Sequence, residues 1–193
     1  GNYTIKTHYD GLVFENNIEV LPTLIGNDLV KYYRNESQFY VSLIDGAGNP
    51  VSGANITMNI NGVFYTKTTN ENGTAKLNIN LAPGEYILTA MDPITGLMMS
   101  YNITVLPTLI AEDLNMSYLD GSKFKVKLVD GQGMPLANKT IKLNINGVIY
   151  NKTTNASGIA ELNIRLMPGE YIITSEYETA RISNTIIISE KED

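Results

Sequence analysis

The sequence predicts an all-β protein built from tandem sandwiches, and three observations carry that prediction. The first is duplication. Leu21–Ala90 aligns without a gap onto Leu106–Ser175, an offset of 85, and 39 of the 70 aligned positions are identical. A unit repeated at domain length means a serial array of like modules. The second is period, because apolar residues alternate with polar ones over short runs and no stretch carries a helical repeat. The third is turn chemistry, since clusters of Gly, Asn, Asp and Pro separate those runs at short, regular intervals.

The elements of the first repeat follow in order. Leu24–Tyr33 reads as a first strand with a break at Gly26-Asn27-Asp28. Phe39, Val41 and Leu43 alternate on a half-buried second strand, and Asp45-Gly46-Ala47-Gly48-Asn49-Pro50 is a loop. Ile56, Met58 and Ile60 form a third strand, ended by Asn61-Gly62. That dipeptide signals a tight hairpin, because a type I′ turn needs positive φ at both central residues. The chain returns along Val63–Lys67, turns at Asn70-Glu71-Asn72-Gly73, and alternates again through Ala75, Leu77, Ile79 and Leu81. Pro83-Gly84 leads into a sixth strand with Tyr86, Leu88 and Ala90, and Leu97–Val105 is the seventh. The second repeat follows the same plan, with a shorter final hairpin around Glu176–Arg181.

Seven antiparallel strands at this spacing predict an immunoglobulin-like sandwich, here without the Cys…Trp…Cys set of antibody domains. Tyr86 and Tyr171, each following Pro-Gly-Glu, stand either as tyrosine corners or as ordinary core tyrosines. Residues 1–20 fit the same scheme. Gly1–Ile5 matches Gly84–Leu88, and Ile18–Pro22 matches Ile103–Pro107. The organisation expected is therefore a C-terminal hairpin of a preceding repeat at 1–20 and sandwiches at 21–105 and 106–193. An isolated hairpin is marginal in water, so this one is expected to pack on a neighbour. The connections Val20-Leu21-Pro22-Thr23-Leu24 and Val105-Leu106-Pro107-Thr108-Leu109 hold almost no linker. Flexible tethers are rich in Gly and Ser, so these predict a semi-rigid array.

Composition excludes several classes of function. The net charge is −6, with only scattered Lys and Arg. Binding to nucleic acid or to an anionic bilayer would need clustered cations. No apolar run reaches the roughly 20 residues that span a bilayer, and no leader is visible, so the chain reads as an interior or processed segment. Cysteine is absent, which removes disulfides and thiolate metal sites.

The order LPTLI, DGxGxP, NINGxxY, TTNxxGxA, PGEY resembles the bacterial-type Ig-like repeats found in adhesin-like surface proteins of methanogenic archaea. The likeness covers both repeats and the amino-terminal hairpin. Its motifs are turn and core residues, so it speaks to fold more than to ligand. It implies an extracellular, cell-surface stalk, often glycosylated, that holds an adhesive tip away from the cell.

Candidate sites are few. N-x-S/T sequons occur at Asn2, Asn35, Asn55, Asn72, Asn102, Asn115, Asn138, Asn151 and Asn155. In a secreted protein they mark glycan acceptors, and an Asn- and Thr-rich chain also produces them by chance. The only histidine is His8, and no nucleophile–base–orienter set recurs in both repeats, so no enzyme and no cofactor are expected. The acids shared by the repeats are Asp28/Asp113, Asp45/Asp130 and Glu85/Glu170. One Asp per DGxG loop is too few for Ca²⁺, which takes six to eight oxygens, so the turn explanation is favoured and no metal is expected.

Lys67 and Lys152 sit at the far end of an apolar row, opposite Ile56 and Ile141. A buried ammonium is costly, so such a lysine snorkels to the rim, pairs with an acid, or is consumed in an intramolecular isopeptide bond, with snorkelling favoured. Polar rows such as Thr57-x-Asn59 and Asn144-x-Asn146 suit sugars or simple solubility, and there is no Trp on which a sugar ring would stack. Two roles are expected: a stalk segment, or a filament or sheath subunit joined by strand addition through Gly1–Val20 or Arg181–Ser189. The expected partners are neighbouring repeats or identical chains, and any host-cell or glycan ligand is unspecified.

Overall fold

The computed structural model describes Gly1–Glu190. Two compact units divide the chain, the first drawn mainly from residues before Thr104 and the second mainly from Thr104 onward. Strands β1 (Asn2–Tyr9) and β2 (Leu12–Glu19) form a separate two-stranded sheet. Their turn is Asp10-Gly11, with φ of 47° and 75°, as a two-residue hairpin of this hand requires.

The first repeat contains β3 (Leu24–Gly26), β4 (Leu29–Tyr32), β5 (Gln38–Leu43), β6 (Asn55–Ile60), β7 (Val63–Thr68), β8 (Thr74–Asn78), β9 (Gly84–Met91) and β10 (Met98–Leu106). They form one sheet of order β3-β5-β8 and another of order β4-β10-β9-β6-β7. The expected first strand is shared between the two sheets, so seven strands become eight segments. The break is at Asn27-Asp28, where the Asp28 carboxylate accepts hydrogen bonds from the Asn102 backbone N–H (2.7 Å) and Nδ2 (3.0 Å). Those bonds fasten the chain to the second sheet at the point where it crosses over. Gly26 allows the crossing, because a Cβ there would lie 2.9 Å from the Tyr101 ring.

The second repeat reproduces the plan with β11 (Leu109–Ala111), β12 (Leu114–Ser117), β13 (Lys123–Leu128), β14 (Thr140–Ile145), β15 (Val148–Thr153), β16 (Ile159–Asn163), β17 (Gly169–Tyr177) and β18 (Ala180–Ser189). The sheets are β11-β13-β16 and β12-β18-β17-β14-β15. β12 runs parallel to β18, whereas the pairs β11–β13, β13–β16, β14–β15, β14–β17 and β17–β18 are antiparallel. Asp113 repeats the crossover bonds, accepting from the Thr185 backbone N–H (2.9 Å) and Asn184 Nδ2 (3.1 Å). Where the first repeat pairs Gly26 with Tyr101, the second has Ala111 with Asn184, whose Nδ2 also donates to the Ala111 carbonyl at 3.2 Å.

Each core is the set of inward-facing residues that alternation predicts. In the second repeat Phe124, Val126, Leu128, Ile141, Leu143 and Ile173 are essentially inaccessible, and Phe39, Val41, Leu43, Ile56, Met58 and Leu88 are so in the first. Burial of a leucine-sized side chain is worth about 2 kcal/mol, so these residues are a main favourable contribution to each repeat, which has no disulfide to add to it. The Asn-Gly hairpins are as expected, with positive φ at Asn61-Gly62 and at Asn146-Gly147. Tyr171 is a tyrosine corner, its hydroxyl donating to the Met167 carbonyl at 2.9 Å.

Candidate interaction surfaces

Among the described residues, those singled out from sequence lie on separate turns and strand faces. Asp45 and Asp130 act inside their loops. Asp45 Oδ1 accepts from the Ala47 and Asn49 backbone N–H groups at 2.9 and 2.8 Å, and Asp130 Oδ1 accepts from Gln132 and Met134 at 2.9 Å each. The Asn49 backbone N–H is the main cause that holds the Asp45 carboxyl below its ordinary pKa. These carboxylates serve as turn closures.

Eight of the nine sequon asparagines are exposed, and Asn35 is half-buried. Asn102 is a special case, because its Nδ2 is spent on Asp28. Asn155 presents the opposite geometry. Its Oδ1 closes the turn by accepting from Ser157 and Ile159 N–H groups at 2.9 and 3.0 Å, which leaves the amide nitrogen directed away from those bonds.

Lys67 pairs with Ile56 and Lys152 with Ile141 in the observed registers, as expected. Both lysines are half-buried, and neither has an ion pair among the described residues. The strands that carry them are less covered than alternation implies: Val63, Phe64, Val148 and Ile149 are exposed. A three-stranded sheet opposite a five-stranded one leaves edge strands β7 and β15 overhanging. The lysine that is fully buried is another one, Lys31 on β4, 4 % exposed, where the second repeat has Met116. Burial pushes its ammonium below the ordinary lysine pKa. Sequence reasoning passed over it, although the Lys-for-Met difference between repeats was the available signal.

The hairpin β1–β2 exposes apolar surface along its whole length, and every residue of both strands is accessible. Register places Tyr3, Ile5, Tyr9, Leu12, Phe14 and Ile18 on one face, with Asn16 among them. The other face is polar. There Lys6 Nζ lies 2.6 Å from Glu15 Oε1, and Thr4 Oγ1 donates to Asn17 Oδ1 at 3.0 Å. His8 lies on this polar face opposite Val13.

Among the described residues no helix is long and apolar enough to cross a membrane. No family model and no curated protein matches the chain. Solved structures resemble it at low identity. One is invasin, a bacterial integrin-binding protein, at 20 % identity and a TM-score of 0.38, over 87 % of this chain and 38 % of that one. Another is domains 4–9 of the surface-layer protein SbsC, at 15 % identity and a TM-score of 0.34, over 98 % of this chain and 35 % of that one. A third is an adhesin with which an Antarctic bacterium binds ice, at 14 % identity and a TM-score of 0.30, over 98 % and 57 % of the two chains. This chain thus spans 38 % of the length of the invasin structure, and its own strands and registers make it a tandem array of immunoglobulin-like β-sandwiches.

Proposed function

We propose that the chain is a non-catalytic structural segment of an extracellular, cell-surface protein, in which serial Ig-like units form the stalk of an adhesin. The observation that carries the reading is the duplication, with the same turns, the same crossover aspartate and the same Leu-Pro-Thr-Leu connection in both repeats. Such a module adds length and spacing each time it is copied. The exposed sequons support glycan cover of the kind the archaeal adhesin-like repeats carry.

A second reading makes the chain a subunit of a surface filament or sheath joined by strand addition. The uncovered apolar face of β1–β2 favours it. Arg181–Ser189 supports it less, because β18 is already held between β12 and β17.

Negative-stain electron microscopy of natively purified protein across a dilution series separates the two. The stalk gives discrete particles of one size at every concentration. Filaments that lengthen with concentration would replace it with the second reading.

A further inference from the structure

The hairpin β1–β2 has the same length and register as the last hairpin of the second repeat. Nine residues precede a two-residue turn and nine follow it in each, with Gly1 placed as Gly169 and Val20 as Ile188. Tyr3, Ile5, Tyr9, Asn16 and Ile18 are identical to Tyr171, Ile173, Tyr177, Asn184 and Ile186. In the second repeat those positions are covered, with Ile173 and Ile186 at 0 % exposure. In the hairpin their counterparts Ile5 and Ile18 are 50 % and 42 % exposed.

Three things cover the hairpin of the second repeat: β14 along one edge, β12 in parallel along the other, and a three-stranded sheet across the face. Asp113, just ahead of β12, grips the Asn184 amide and the Thr185 N–H. The amino-terminal hairpin presents equivalent donor positions to an aspartate. Asn16 stands at the Asn184 position, and Asn17 at that of Thr185 and of Asn102, which Asp28 grips in the first repeat.

We propose that Gly1–Val20 is a docking element for one occupant, an Ig-like unit of this chain's own repeat type that is open where its last hairpin belongs. The occupant lays an aspartate-led strand in parallel along β2, a second strand antiparallel along β1, and a sheet over Tyr3, Ile5, Phe14 and Ile18. Area decides against a second copy packed hairpin on hairpin. A ribbon of two eight-residue strands measures about 27 Å by 10 Å, roughly 300 Å² a face, whereas a specific interface takes about 800 Å² a partner. An open unit adds hydrogen bonds along both edges to the covered face. This goes beyond the stalk reading and holds or fails independently of what the protein adheres to.

The test joins a copy of residues 21–83 ahead of Gly1 through its own Ala82-Pro83, and follows hydrogen exchange of residues 2–19 with and without it. Sedimentation of both proteins runs alongside. The expected result is fast exchange in the chain alone and at least about 100-fold greater protection in the extended chain, with both proteins monomeric. Phe14→Asp in the extended chain should remove that gain and leave residues 24–189 as protected as before. A parallel extension with residues 106–168 guards against one open unit failing to fold. Fast exchange in both extended chains would overturn the proposal. So would a dimer of the unextended protein whose hairpin is protected in proportion to concentration, which would make a second copy the occupant.

Discussion

The hydroxyl of Thr23 donates a 2.6 Å hydrogen bond to the carboxylate of Asp92, a side chain only 1 % exposed. Asp92 also accepts from the Thr95 hydroxyl at 2.6 Å and from the Ile94 N–H at 2.8 Å. A carboxylate with that many donors can be buried charged, and here it closes the loop between β9 and β10 onto the residue that leads into β3. The second repeat has no counterpart, because a two-residue turn, Glu178-Thr179, replaces the loop.

Burial works to raise the Asp92 pKa, but the hydrogen bonds from Thr23, Thr95 and the loop backbone outweigh it and hold the group below its ordinary value. A depressed carboxyl pKa stabilises the fold above the unfolded pKa of about 4, and that contribution is lost as pH falls through the folded value. Asp92→Asn should therefore cost about 2 kcal/mol at neutral pH. The deficit should shrink below about pH 4. Urea unfolding of both proteins at pH 7 and pH 3 checks this, and an equal deficit at the two values would contradict it.

The TTNxxG motif owes its glycine to contact. Gly158 has φ of +74°, and a Cβ there would stand 2.4 Å from the Leu128 carbonyl oxygen. Gly73 is built alike, with the Leu43 oxygen at 2.6 Å. Gly158→Ala should lower stability by about 3 kcal/mol, well beyond the roughly 1 kcal/mol of an unstrained Gly change. Gly147→Ala is a fit control, since positive φ without crowding should cost about 1 kcal/mol.

Lys31 offers a change in the stabilising direction. Its position holds Met116 in the second repeat, and burial already disfavours its charge. Lys31→Met should raise the stability of the first repeat by about 1 kcal/mol at pH 7. The gain should narrow as pH climbs toward the ordinary lysine pKa, because the unfolded lysine then loses its proton too. Thermal unfolding at pH 7 and pH 10 measures it, and a loss of stability at pH 7 would contradict it.

Lys67 and Lys152 yield a prediction of chemistry. Half-buried at an overhanging edge, each reaches solvent past its apolar row. The denatured chain should have the mass its sequence specifies. A deficit of one ammonia or one water per repeat would instead mark an isopeptide bond.

Much of the architecture was legible because turns write themselves in residue types. Asn61-Gly62, Asp45-Gly46 and Asn70–Gly73 each demand a particular backbone path, and alternation then assigns a face to every strand between them. The legible part stops where cause is tertiary. Gly26-Asn27-Asp28 showed a break, but the change of sheet depends on Asp28 meeting Asn102, 74 residues away. Burial of Asp92 depends on a loop unique to one repeat. The exposure of Phe64 and Val148 follows from unequal sheet widths, which no local pattern records. For the same reason the binding partner stays outside the sequence motifs, since those motifs build turns and core.

The parallel alignment of β12 with β18 has a consequence for load. These strands lie near opposite ends of the second repeat, and their partners run from Leu114–Ile186 to Ser117–Ser189. Tension entering before β12 and leaving after β18 pulls the pair lengthwise in opposite directions. Its hydrogen bonds must then fail together in shear, whereas a hairpin pulled from its open end peels one bond at a time. Under such a load this pair resists by shear along its length and not by peeling.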